Sequence, residues 1–290
     1  MERRVTWLQG VLGLGPGRIL DTLVFRPPHS RKAPDSARPM GRAPATAGQP
    51  AEEAKDARLA DVVADMERAR VDASLVVLHE ETDDFSCLTA QHPGRLFGLA
   101  HYDSLSPRRG LERVRGLCDD HPDLILGVTS AMPRFGQDPR LREFVPLYEF
   151  CIERDLPVQF DAAEDATGER AAPPVAFGVL AKTYPRLKVV CRDTGSWRGE
   201  ALALLHRFPN LFLQVDGPSL HPLLRAAGSR KLVFGSDWRG REARYFERVE
   251  AVRRLPWRHR QNVGWRTAVR VYGPRLLSRP APFDSQPSPR

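Results

Sequence analysis

The feature that most constrains this chain is an alternation. Short apolar runs of strand type recur eight times, and each is followed by helical or loop sequence. The strand-like runs cover 18–25, 73–78, 96–102, 124–130, 156–160, 187–191, 211–215 and 232–234. Several read as continuous Val, Leu, Ile and Phe with no polar alternation, as expected of strands buried on both faces of a parallel sheet. Eight βα units in 290 residues fit a closed (β/α)8 barrel, which needs about 250 residues. No glycine-rich phosphate fingerprint follows the first strand. The Gly13-Leu14-Gly15-Pro16-Gly17 run precedes it, so the dinucleotide-binding form of a doubly wound sheet is not indicated.

The intervening segments carry helical signals. Leu59, Val62, Val63 and Met66 share one face of a helix expected over 56–71. Ser106-Pro107 reads as a cap followed by proline at the first helical position, with Leu111, Val114 and Leu117 behind it. Further helices are expected from Pro146 to near Arg154, over 174–184, from a Ser196 cap through Ala201, Leu202, Leu205 and Phe208, over 242–254, and over 261–272.

Two stretches, 27–51 and the C-terminal end, are dense in Pro, Ala, Gly and Ser with almost no large apolar residue. They cannot bury enough apolar area to offset their ordering entropy. The expected organisation is an N-terminal extension over 1–17, one barrel over 18–274 with a flexible loop at 27–51, and a disordered tail over 275–290. No run approaches the ~18 apolar residues of a membrane helix. Cys87, Cys118, Cys151 and Cys191 have no metal-type spacing. They read as reduced thiols, mostly core filler, in a cytoplasmic protein. The net charge of +8 permits acidic partners, but no basic block stands apart from helical segments.

Four motifs then stand in barrel order. Leu156-Pro157-Val158-Gln159-Phe160-Asp161 comes first. Next is Tyr184-Pro185-Arg186-Leu187-Lys188-Val189-Val190, running into Asp193-Thr194-Gly195-Ser196-Trp197. Phe208-Pro209-Asn210-Leu211-Phe212 follows, and then Leu232-Val233-Phe234-Gly235-Ser236-Asp237-Trp238. Together they resemble the amidohydrolase-related family, in the branch that contains aminocarboxymuconate-semialdehyde decarboxylase and related metal-dependent hydrolases and decarboxylases. The resemblance covers about residues 18–274 and implies a TIM barrel of the metal-dependent hydrolase type, with chemistry at the C-terminal ends of the strands.

The resemblance also implies a ligand set. The family's first strand ends Asp-x-His-x-His, with both imidazoles on one face. The matching run here is Asp21-Thr22-Leu23-Val24-Phe25, so Leu23 and Phe25 hold the ligand positions and carry no donor. Asp161 and Asp193 match the histidines of the fifth and sixth strands, and Asp237 matches the aspartate of the eighth. The metal set is thereby reduced to Asp161, Asp193 and Asp237. Such carboxylates suit Mg²⁺, Mn²⁺ or Ca²⁺ better than Zn²⁺.

Three readings stay open on the sequence. The barrel is a non-hydrolytic binding protein or partner subunit, with its aspartates satisfied by solvent, backbone amides or arginines such as Arg192 and Arg239. Alternatively it is a hydrolase or decarboxylase with a rewired site, in which His79 and His101 join Asp161, Asp193 and Asp237 as catalytic residues using a divalent metal (Mn, Mg or Zn). Crowded carboxylates there would raise one another's pKa, which suits acid–base work. In the third, the arginines at 239, 241, 244, 253, 254, 258 and 260, interleaved with Trp238, Tyr245, Phe246 and Trp257, bind nucleic acid or a phosphorylated ligand. The same pattern is also that of amphipathic helices with arginine outside and aromatics inside. The expected partners are a small molecule at the barrel mouth and a homodimer or protein partner, with no membrane and no strong indication of nucleic acid.

Overall fold

The computed structural model describes residues 19–24, 59–79, 83–131, 142–161, 174–192, 198–216, 220–236, 238 and 242–277. The expected extension at 1–17, the loop at 27–51 and residues 278–290 of the expected tail lie outside them, whereas 275–277, expected in that tail, belong to a 3-10 turn that buries Leu276. Eight parallel strands form one sheet in sequential order: β1 Leu20–Val24, β2 Ala73–Leu78, β3 Leu96–His101, β4 Ile125–Ala131, β5 Val158–Asp161, β6 Val189–Arg192, β7 Leu211–Val215 and β8 Leu232–Phe234. The sheet curls until β8 lies against β1, giving a TIM barrel. All eight expected strands are present.

Helices follow the strands: α1 Leu59–Arg68, α2 Asp83–Gln91, α3 Pro107–Asp120, α4 Val145–Glu153, α5 Pro174–Thr183, α6 Arg198–Arg207, α7 Leu220–Ala227, α8 Glu242–Arg253, α9 Trp257–Gln261 and α10 Thr267–Tyr272. The helix expected over 261–272 is interrupted by a π-turn at Asn262–Arg266. This wide turn contains Gly264 and buries Val263, Gly264 and Trp265 together. The helices α2 and α7, and the short α9 ahead of residue 261, were not foreseen in the sequence. No helix among the described residues is long and apolar enough to cross a membrane.

Strand alternation divides the core into two layers. Val76, Leu78, Val128, Val158, Phe160, Val189, Cys191, Leu213 and Phe234 pack outward with the helices. Leu75, Val77, Phe97, Leu99, Val190, Phe212 and Val233 pack inward, and Trp265, Ala268, Val271, Tyr272 and Leu276 join them as a floor. Burial on both faces is why these strands read as uninterrupted apolar runs. The floor is fixed by the Tyr272 hydroxyl, which donates to Gln159 Oε1 at 2.6 Å.

The β8–β1 closure differs from the other seams. Among the described residues the ladder runs from β1 to β8 with no β8–β1 pairing. Side chains brace the gap from outside. Trp238 Nε1 donates to Asp65 Oδ2 at 2.7 Å, both groups buried. Arg68 also donates to Asp65, and Arg253 on α8 donates to the carbonyls of Ala69 and Arg70. At the start of β1, Ile19 N donates to Asp72 Oδ2 (2.9 Å) and Asp72 N to Ile19 O (2.9 Å).

The Phe208-Pro209-Asn210 motif has a structural task. Asn210 Nδ2 lies 3.1, 3.1 and 2.8 Å from the carbonyls of Ala181, Tyr184 and Leu187, tying the end of α5 to the approach of β7. Lys231 Nζ caps the carbonyls of Phe208, Pro209 and Leu211 at 2.9, 2.7 and 3.2 Å and lies over the Phe212 ring. Desolvation, then the nearby Arg270 charge, lowers its pKa. Lys231→Met is expected to cost about 2 kcal/mol, the scale of hydrogen bonds to a charged group, read as a fall in the urea midpoint at unchanged slope.

All four cysteines are free thiols. Cys118, Cys151 and Cys191 are buried, and Cys87 is exposed. Burial pushes the Cys118 thiol up to about 12 and raises Cys151 and Cys191 as well, as expected of unreactive core filler. In the basic C-terminal third, Trp238 and Tyr245 are buried. Arg254 pairs with Glu250, and Arg258 lies over the exposed ring of Trp257. Apart from Trp257, this is the inside-outside division of amphipathic helices.

Candidate active site at the barrel mouth

Parallel strands in a barrel direct their C-terminal ends to one mouth, and strand parity decides which side chains face it. The inward set Leu75-Val77 on β2 and Phe97-Leu99 on β3 continues, two residues on, to His79 and His101. The Leu78↔Ala100 register sets these two side by side. Their ring centroids are 4.2 Å apart with the planes tilted by 38°. Arg113 on α3 donates to the His79 carbonyl at 3.3 Å.

Burial, and then the neighbouring His79, depress the His101 pKa to about 4, against a small upward pull from Asp103. His101 is therefore a neutral imidazole at neutral pH. Its Nδ1 is buried with no hydrogen-bond partner among the described residues. His79 and His101, placed at strand ends in the sequence, lie side by side in the fold.

The polar level continues around the barrel. His101 pairs in register with Thr129, and Thr129 with Gln159. A second level joins Ala131, Asp161, Arg192 and Gln214 across β4 to β7. Thr129, Gln159, Arg192 and Gln214 are all buried. Gln214 explains the glycine of the eighth-strand motif: a Cβ on Gly235 would meet Gln214 Nε2 at 2.3 Å and Cδ at 2.5 Å. On the rim, Arg248 of α8 joins the ends of β7 and β8. It is 3.3 Å from Asp216 Oδ2 and donates to the Ser236 carbonyl.

Of the other candidates, Asp161 is the last residue of β5 and Leu23 lies on β1. Asp193, Asp237, Phe25, Arg239 and Arg241 lie outside the described residues. The buried glutamines were missed in the sequence, although each is a lone polar residue inside an apolar strand, Val158-Gln159-Phe160 and Leu213-Gln214-Val215.

The amidohydrolase family model matches residues 11–273, nearly the whole chain. The chain belongs to the amidohydrolase family. Solved structures agree on the fold. One is 5-carboxyvanillate decarboxylase LigW from Sphingomonas paucimobilis, with a TM-score of 0.60 at 16% identity, covering 88% of this chain and 98% of that one. Another is 4-oxalomesaconate hydratase from Rhodopseudomonas palustris, with a TM-score of 0.58 at 16% identity, covering 76% and 82%. A third is a 5-carboxyvanillate decarboxylase from Novosphingobium aromaticivorans with bound manganese, with a TM-score of 0.53 at 12% identity, covering 73% and 80%. No curated protein matches the chain. This amidohydrolase-family barrel therefore shares its scaffold with decarboxylases and a hydratase.

Proposed function

We propose that this amidohydrolase-family protein is a non-hydrolytic member, which binds a small molecule or a partner protein at its barrel mouth without a catalytic metal. The observation that carries the reading is Leu23 on β1. The family resemblance assigns that position to an imidazole ligand, and an isobutyl side chain has no lone pair to offer. Phe25 is equally inert by sequence.

The histidines do not supply a substitute pair. With Zn–N bonds of about 2.0–2.1 Å and tetrahedral angles, two ligating imidazoles keep their centroids roughly 5 Å apart. The tilted rings of His79 and His101 lie closer than that, at 4.2 Å. These residues do not fit a catalytic zinc, and no step is routed through one.

A second reading draws on where these residues stand, at the strand ends that face the mouth. The His79–His101 pair, with Asp161, Asp193 and Asp237, would form a rewired hydrolase or decarboxylase site using a divalent ion such as the manganese of the Novosphingobium enzyme.

Elemental analysis of purified protein separates the two. Substoichiometric metal, unchanged in Asp237→Ala and after incubation with zinc, manganese and magnesium, is the expected result. About one equivalent of a divalent ion, lost in Asp237→Ala, would replace the binding-protein reading by the enzymatic one.

A further inference from the structure

We propose that the Arg192 guanidinium is the resident cation of the mouth, occupying the charge position that a metal ion holds in metal-dependent relatives. This rests on the metal-free reading above and deepens it. Val190 packs inward and Cys191 outward, so Arg192 is the next inward position and the last residue of β6. It is only 8% exposed.

An arginine stays protonated even when buried, and a buried charge needs an opposite charge and hydrogen bonds around it. The register supplies both classes of neighbour. Asp161 closes β5 directly beside Arg192, and Gln214 of β7 stands on its other side. The Oε1 atom of Gln214 is buried with no hydrogen-bond partner among the described residues, an acceptor on the same inner level. Asp161 is also the fifth-strand position of the family's ligand set. A guanidinium on this level, next in register to Asp161, repels any divalent cation that approaches it.

The substitution that tests this creates function. Arg192→Ala removes the cation and leaves the carboxylate. Titration with Mn²⁺, followed by the loss of the free-ion electron paramagnetic resonance signal, is expected to show about one equivalent bound in Arg192→Ala. No saturable binding is expected in the wild type or in Arg192→Lys. Adding Asp161→Asn to Arg192→Ala is expected to abolish the binding.

If Arg192→Ala fails to fold, Asp161→Asn in that background is expected to restore the melting transition, since the neighbour in register then brings no charge to a site that has lost its cation. Failure to restore it overturns the proposal. So does a folded Arg192→Ala that takes up no Mn²⁺. Metal in the wild type would instead overturn the metal-free reading, so the two failures are distinguishable.

Discussion

Replacing Asp65 by alanine is expected to cost about 3 kcal/mol, because it leaves a buried indole N–H with no acceptor and cuts the brace across the β8–β1 seam. The Asp65 carboxylate is buried and accepts from Trp238 Nε1 at 2.7 Å. Arg68 also donates to it, but from a half-exposed position, so freeing that guanidinium adds little. Trp238→Phe is expected to cost about 2 kcal/mol, since Asp65 keeps Arg68 and the ring remains packed. The double variant should fall short of the sum, because a pair that shares one hydrogen bond is non-additive. Urea unfolding of the four species measures the coupling. A coupling near zero would mean that the seam is held by packing alone.

The second large effect is on stability against acid. His101 is held neutral with its pKa depressed to about 4 by burial and by His79, whereas an unfolded histidine titrates near 6.5. Between those values the unfolded chain binds a proton that the folded chain refuses, so stability rises with pH across that window. The contribution is complete above about pH 6.5 and is lost as pH falls towards about 4. A full shift would correspond to about 3 kcal/mol, and partial solvent contact reduces it to about 2 kcal/mol. Denaturant midpoints at pH 7.5 and pH 4.5 measure it. In His101→Gln the difference between the two pH values is expected to shrink by about that amount. An unchanged difference would place the acid sensitivity in other groups.

The two kinds of element differed in how plainly they could be read. The strands were legible because a strand covered on both faces has to be apolar throughout, and β2, β7 and β8 begin and end where their apolar runs do. Besides the short α9, two helices were hidden. In α2, Asp83, Asp84, Ser86 and Thr89 outnumber the core-facing Phe85 and Leu88, so the apolar stripe is too thin to recognise. In α7, Pro222 stands in the first turn, where the missing N–H is harmless, but in a bare sequence it reads as a break.

At the mouth, His79 and His101 could be placed at strand ends, and their contact follows from β2 and β3 being adjacent and in register. Gln159, Gln214 and Thr129 were passed over because uniform burial conceals which face of a strand looks inward. Parity supplies that only once the ladder is known. The eighth-strand Gly235 was recognised by resemblance, and its physical cause, Gln214 lying against its Cα, needed the packed barrel.

The floor carries a consequence for synthesis. The bottom of the barrel interior, where Phe97, Leu126, Phe212 and Val233 meet, is covered by Trp265, Val271, Tyr272 and Leu276, the last core residues along the described chain. A nascent polypeptide emerging from the ribosome has all eight strands available once residue 234 is out, yet their shared interior stays wet until some forty residues more have cleared the exit tunnel. During that interval the sheet exposes its apolar underside and the Gln159 amide lacks its tyrosine. Folding of this barrel therefore waits on the last described helix, and the exposed species is the chain that has released β8 but not yet residue 276.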